Sequence, residues 1–162
     1  MIFVTVGNDF RSFDRLLKKM DEIALSIPSE IVMQRGYSKY HPKNVKQFDF
    51  VSMNESVEYI RRSDLVVSHA GIGTVILCKE YGIPILIIPR RKKNGEHMND
   101  HQLEIAKALE NKENENIYIL YEEDRLKDSI LEILQAKRKK SAEKNVGKAN
   151  LVRAIKEFVK AT

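Results

Sequence analysis

An open, mainly parallel α/β sheet of Rossmann-like type, with helices on both faces, is the fold predicted for this 162-residue chain. Three features predict it. Strand-like and helix-like segments alternate from end to end. The strand-like segments are apolar at consecutive positions, as in Ile2-Phe3-Val4-Thr5-Val6 and Pro84-Ile85-Leu86-Ile87-Ile88, the pattern of strands buried on both faces. The segments between them repeat apolar residues at helical spacing.

Taken in order, the first strand leads to a helix carrying Phe13, Leu16, Leu17, Met20, Ile23, Ala24 and Ile27, with Ser12 placed to cap it and Pro28 to end it. Glu30 to Met33 reads as a second strand and Val45 to Val51 as a short third. Ser52-Met53-Asn54-Glu55 has the form of a capping box and opens a short helix through Ile60. Asp64 to Val67 is the next strand, Gly71 to Tyr81 the next helix, and Pro84 to Ile88 an all-apolar strand. A polar loop from Arg90 to Asn99 leads into a helix ending near Leu109. Ile117 to Leu120 is a last strand, and Leu126, Ile130, Ile133 and Leu134 mark another helix. Ala142, Val146, Ala149, Val152, Ile155 and Val159 then recur at helical spacing in a basic segment. The expected organisation is an α/β domain over residues 1–135 and an amphipathic basic helix over 136–162, packed on the domain or on a partner.

Charge is unevenly placed. The net formal charge is +5, with +7 in residues 136–162 and −2 before them. A nucleic-acid-binding protein would more often spread basic charge over a face together with exposed aromatics, so no nucleic-acid partner is expected. Cys78 stands alone, which gives no disulfide framework and no Cys-based metal site and fits a reducing compartment. The chain opens directly on an apolar strand, so a signal peptide is not expected. Its longest apolar run is too short to span a bilayer. A cytoplasmic location follows as the expectation.

In an open parallel sheet, ligands bind beyond the carboxyl ends of the strands, where the winding order reverses. Three segments fall at such ends: Val6-Gly7-Asn8-Asp9, Met33-Gln34-Arg35-Gly36, and Ser68-His69-Ala70-Gly71-Ile72-Gly73-Thr74. The third runs from a strand through a Gly-x-Gly turn into a helix. Glycines let the backbone approach an anion, and the first N–H groups of the helix point at it, an arrangement suited to a diphosphate. A tight turn alone would use the same glycines. Neither G-x-G-x-x-G after the first strand nor G-x-x-x-x-G-K-[ST] is present, which weakens dinucleotide and P-loop readings. Gly95-Glu96-His97-Met98-Asn99-Asp100-His101-Gln102 sets many hydrogen-bonding side chains at another strand end, as a polyhydroxylated ligand requires. Structurally, the same run offers Asn99 as a helix cap and Gln102 as its capping-box partner. His97 and His101 are also four apart, the spacing of two metal ligands on one helical face, but no third ligand is evident and no metal is expected.

The joined motifs, Ser68 to Thr74, then Gly82-Ile83-Pro84, then Gly95 to Gln102, resemble the donor-binding domain of glycosyltransferase family 28. They are most similar to the PssE-like soluble subunits of bacterial exopolysaccharide and capsule transferases. These in turn are similar to the soluble subunit of the eukaryotic enzyme that adds GlcNAc to a lipid-linked glycan. Phe3-Val4-Thr5-Val6-Gly7 and Phe13-Asp14-Arg15-Leu16-Leu17 look like the start of such subunits. The resemblance implies the C-terminal half of a GT-B fold that grips a UDP-sugar as substrate, with no cofactor. It implies a membrane-associated acceptor-binding subunit as partner, which brings a lipid-linked glycan acceptor and the general base and recruits the chain to the inner face of the membrane.

Carried over by position, Gly7, Asn8, His69, Gly71, Gly73 and Thr74 would hold the diphosphate. Gln34, Arg35, Phe50 and Val51 would lie near the nucleoside. Glu96, His97, Asp100, His101 and Gln102 would face the sugar. Single-chain relatives that build peptidoglycan carry a ribose-binding carboxylate three residues after the position of Thr74; here that position is Leu77, and Glu80, three residues further on, is the remaining nucleoside candidate. A non-catalytic enhancer subunit, or an epimerase- or hydrolase-like enzyme, stays open as an alternative.

Overall fold

The computed structural model describes residues 1–110 and 115–161; within 146–161 it describes side chains only at Asn150 and Arg153. Six strands form one sheet: β1 (Ile2–Thr5), β2 (Ile31–Gln34), β3 (Lys46–Phe48), β4 (Leu65–Ser68), β5 (Ile85–Ile87) and β6 (Ile117–Ile119). Their spatial order is β3-β2-β1-β4-β5-β6, and every neighbouring pair is parallel. The order reverses between β1 and β4, so the loops leaving these two strands diverge there and open a crevice.

The helices are α1 (Asp14–Ala24), α2 (Met53–Arg61), α3 (Ile72–Glu80), α4 (His101–Leu109) and α5 (Leu126–Ala161). Alternate strand residues face opposite layers. Ile2, Val4, Met33, Leu65, Val67 and Leu86 pack with Leu16, Leu17 and Met20 of α1 and with Leu126 and Ile130 of α5. On the other face Phe3, Val32, Val66, Ile85 and Ile87 pack with Ile60 of α2 and Val75 and Cys78 of α3, with Ile105 and Leu109 of α4 alongside. Each fully buried side chain of this size contributes about 1.5–3 kcal/mol, so the two-sided core is the main source of stability. The thiol of Cys78 lies within this second layer, and burial pushes its pKa up to about 12.

Several local expectations need correction. Ser12 does not cap α1: the N-cap is Phe13 without a side-chain bond, and Ser12 Oγ bonds Asp14 Oδ1 instead. The helix ends at Ala24, before Pro28. The capping box at α2 is as read, with the Ser52 hydroxyl accepting from Glu55 N and the Glu55 carboxylate from Ser52 N. Asn99 is not the cap of α4, and Gln102 forms no capping box; the N-cap is Asp100, again without a side-chain bond. One 36-residue helix, α5, runs across the position of the expected boundary at 135/136. Its early turns lie on the domain, where Lys137 Nζ donates to the carbonyls of Ser63 and Asp64 and pairs with the Asp64 carboxylate at 3.2 Å. Residues 141–145 are exposed, and the apolar stripe expected at Val146, Ala149, Val152, Ile155 and Val159 lies outside the described side chains. Among the described residues no helix is long and apolar enough to cross a membrane.

The long connection from β2 to β3 is pinned by Asp21. Its buried carboxylate accepts from Tyr40 Oη at 2.7 Å and from the backbone amides of Lys43 and Asn44. Burial alone would raise its pKa, but these hydrogen bonds together outweigh burial and hold it below the ordinary 3.8. The unfolded carboxyl therefore takes up a proton before the folded one does, and this stabilisation fades as pH falls through the ordinary Asp range and below. We expect Asp21→Asn to cost about 2 kcal/mol at neutral pH in denaturant melts, with wild type and variant converging on acidification.

Candidate functional site

A cavity of about 520 Å³ opens at the carboxyl edge of the sheet. Thr5, Gly7 and Asn8 from the end of β1 and Gln34 from β2 form its floor. Val51, Met53 and Ser56 come from the loop before α2 and its first turn, and Gly73, Thr74, Ile76 and Leu77 from α3. Its size suits a nucleotide-sized ligand. No side chain caps α3, so the free N–H groups of its first turn, including those of Gly73 and Thr74, are directed at this space. A Cβ built on Gly73 would meet nothing within 4 Å, which leaves that approach open.

A relay of hydrogen bonds orders the floor. Gly7 N donates to Thr5 Oγ1 at 3.2 Å, Thr5 Oγ1 donates to Gln34 Oε1 at 3.0 Å, and Gln34 Nε2 reaches Asn8 Oδ1 at 3.5 Å. Thr5 and Gln34 are buried, whereas Asn8 is exposed. With its oxygen turned inward, the Asn8 amide presents its donors outward.

His69 occupies the divergence of the β1 and β4 loops. A Cβ on Gly7 would come within 2.5 Å of the imidazole Cε1, and one on Gly71 within 2.4 Å of Nε2. The ring is thus seated between two glycine Cα atoms, and these glycines serve the histidine first. Gly7 also has a φ of +72°, a conformation that favours glycine for its own reason. Burial, with the nearby Arg90 charge, lowers the His69 pKa to about 4. The ring is therefore neutral near pH 7 and is no standing positive charge for a phosphate.

The cation at this rim is Arg90, fully buried although the sequence places it in a polar loop. Its Nη atoms donate to the carbonyls of Val6 (2.7 Å), Arg11 (2.9 Å) and Glu96 (3.0 Å), and its guanidinium lies 4.9 Å from the Phe13 ring centroid. It thereby ties the β5 loop to the β1 loop. Nothing in the local sequence marks Arg90 for burial, since its acceptors come from residues up to 84 positions away.

The residues expected to face a sugar divide into two sets. Glu96 and Gln102 are buried and committed elsewhere. The Glu96 carboxylate takes a two-pronged ion pair from Arg15, at 2.8 and 3.0 Å, and a bond from Arg91 N, while Gln102 Oε1 accepts from Ala70 N and Arg90 N. His97, Asp100 and His101 stand at the surface of the same rim. His97 precedes α4 and His101 begins it, so they do not share a helical face; His97 Nδ1 bonds Asn99, and His101 Nδ1 lies 3.0 Å from Glu104. Asp100 Oδ1 accepts from Lys92 N. None of the five lines the cavity, but His97 Nε2 is 3.9 Å from Asp9, which places this stretch beside the β1 loop. Gln102 joins the 95–102 and 68–74 segments directly, so both occupy one rim.

Of the nucleoside candidates, Gln34 and Val51 line the cavity and Arg35, Phe50 and Glu80 do not. Arg35 is held by its own loop, donating to Ser38 O and pairing with Asp49 at 2.5 Å. Phe50 packs edge-on against Tyr37. Glu80 is exposed at the last residue of α3. Met53, Ser56 and Ile76 were not anticipated; the capping box that opens α2 was the signal that could have brought its first turn to this edge.

Two tests follow from the seat of His69. Gly71→Ala should destabilise the protein because its methyl collides with the ring, and most of that loss should vanish in a His69→Ala background, giving a clear coupling in a double-mutant cycle. Between the ordinary 6.5 and about 4, the unfolded histidine binds a proton that the folded one refuses, so this group lowers stability as pH falls through that window. His69→Ala should remove that part of the acid sensitivity in melts at stepped pH, and parallel curves would refute it.

Comparison with known proteins shows the fold and the family. The human "UDP-N-acetylglucosamine transferase subunit ALG13" is 34% identical over 122 residues, which cover 67% of this chain and 10% of the human protein. The chain thus spans about a tenth of that relative. Among solved structures, the kitacinnamycin glycosyltransferase superposes with a TM-score of 0.62 at 18% identity, over 82% of this chain and 34% of that one. MurG of Acinetobacter baumannii gives 0.54 at 16% identity, over 84% of this chain and 44% of that one. These two likenesses show the fold, that of GT-B glycosyltransferases. The model of the glycosyltransferase family 28 C-terminal domain matches residues 1–159, and to that family this chain belongs.

Proposed function

We propose that this chain is the donor-binding part of a two-subunit inverting glycosyltransferase, which holds a UDP-sugar in the cavity between α2 and α3 while a second, membrane-associated polypeptide brings a lipid-linked acceptor. The observation that carries this reading is the junction of a nucleotide-sized cavity with the uncapped N-terminus of α3 at the point where the strand order reverses. The human relative named as a transferase subunit supports the division into subunits. Extension of an exopolysaccharide or capsule glycan in the cytoplasm, at the inner membrane face, is the setting we assign to it.

Transfer from a nucleoside diphosphate sugar needs a stabilised leaving diphosphate, an anomeric carbon held in line, and an acceptor hydroxyl that loses its proton as it attacks. The first need is met by the amides of Gly73 and Thr74, the Thr74 hydroxyl and the outward amide of Asn8, with the buried Arg90 charge behind them. His69, neutral and wedged, fixes the spacing of these donors. His97, Asp100 and His101 stand where a hexose attached to that diphosphate would extend. The base belongs to the partner in this scheme.

Isothermal titration should show UDP binding to the chain, and Thr74→Val should weaken it about tenfold, the loss of one hydrogen bond to a charged group, without changing the melting temperature. Sugar transfer to a lipid acceptor should require the second polypeptide. Unaltered UDP affinity in the variant, or full transfer by this chain alone, would refute the scheme.

A further inference from the structure

The cavity carries an unusual set of walls for a nucleotide site. Val51, Met53, Ile76 and Leu77 make its sides apolar, and no Asp, Glu, Lys, Arg or His is among the residues that line it. Two of its polar side chains, Thr5 and Gln34, are buried, and they are already bonded to each other. The remaining ones, Asn8, Ser56 and Thr74, are exposed or half-buried, so water can serve them when a ligand does not.

Discrimination against a missing hydroxyl arises when a site's own buried polar group is left unpaired by the lesser ligand; apolar walls separate such pairs only weakly. This wall set holds no buried, waiting acceptor. Each side chain lining the cavity is apolar, already hydrogen-bonded to a neighbour, or open to solvent. Leu77 matters most here. It stands three residues beyond Thr74 and four beyond Gly73 on α3, so all three share one face of the helix and one side of the cavity. A carboxylate at that position would put a charged acceptor on this side of the cavity; a leucine offers only packing.

We infer that the cavity takes its nucleoside without reading the ribose 2′-hydroxyl, so that 2′-deoxyribonucleoside diphosphates bind as well as ribonucleoside diphosphates. This rests on the donor-binding reading above, and it names the ligand class that reading admits. Selection of the donor then falls to the base, the diphosphate and the transferred sugar, not to the pentose.

The test is titration of the whole chain with UDP and with 2′-deoxy-UDP under identical conditions, repeated on Ser56→Trp and Gly73→Leu. Ser56 is half-buried on α2 and a side chain at Gly73 meets nothing within 4 Å, so each variant can fill the cavity from a different wall. The expected result is dissociation constants for the two nucleotides within fivefold of each other, both weakened at least tenfold by either filling variant that keeps the wild-type melting temperature. A deoxynucleotide bound more than fivefold more weakly would overturn the inference and leave the donor-binding reading standing. Full affinity in both filled variants would place the nucleotide elsewhere and overturn the inference. Binding of neither nucleotide up to millimolar concentration would sink both.

Discussion

The seating of one imidazole between two glycines governs this end of the molecule. Adjacent parallel strands β1 and β4 send their chains to opposite layers, and the gap left between them must be filled by something. His69 fills it, and it fits only because Gly7 and Gly71 present no side chain to its edge. The distance between the two loops is therefore set by the thickness of a ring. That distance fixes where α3 begins relative to the β1 loop, and hence where its free amide groups point. A glycine pair placed for a diphosphate and a glycine pair placed for a histidine look the same in a sequence, yet they act at different steps: here the pair shapes the rim, and Gly73, with empty space before it, is the glycine that leaves room for a ligand.

Charge is handled in the same indirect way. Arg90, a fully buried cation of the rim, donates through its two Nη atoms to three carbonyls from two loops and does not line the cavity. Its hydrogen-bond acceptors are neutral carbonyls, while the Asp9 and Glu96 carboxylates act on its charge from nearby. The Arg15–Glu96 pair next to it is a closed system, bidentate and shielded, and it anchors the β5 loop to α1. Together these groups give a rigid frame whose polar side chains are mostly spent on the frame itself.

That expenditure explains which parts were legible in the sequence. The sheet, its parallel sense and the order of elements could be read because two-sided burial writes itself as consecutive apolar residues, and Ser52 with Glu55 could be read because a capping box closes within four positions. The same pattern pointed to the strand ends, and Gly7, Asn8, Gln34, Val51, Gly73 and Thr74 do meet at one cavity there. What escaped were side chains whose partners are distant in the chain. Glu96 and Gln102 have the chemistry of sugar ligands, but Arg15 and the backbone of Ala70 claim them across 81 and 32 positions. Local spacing also misplaced the caps of α1 and α4, where competing bonds from Ser12 to Asp14 and from His101 N to Asn99 absorbed the side chains that were expected to serve the helix ends.

The lone cysteine gives the molecule a built-in reporter. Cys78 faces the sheet from α3, the helix whose first turn borders the cavity, and its thiol is both hidden and strongly disfavoured from ionising. An alkylating reagent can reach it as a thiolate only when α3 lifts from β4 and β5. The rate of modification of this single sulfur thus measures how often that helix detaches, and a ligand gripping the start of α3 would slow the clock without any label having been introduced.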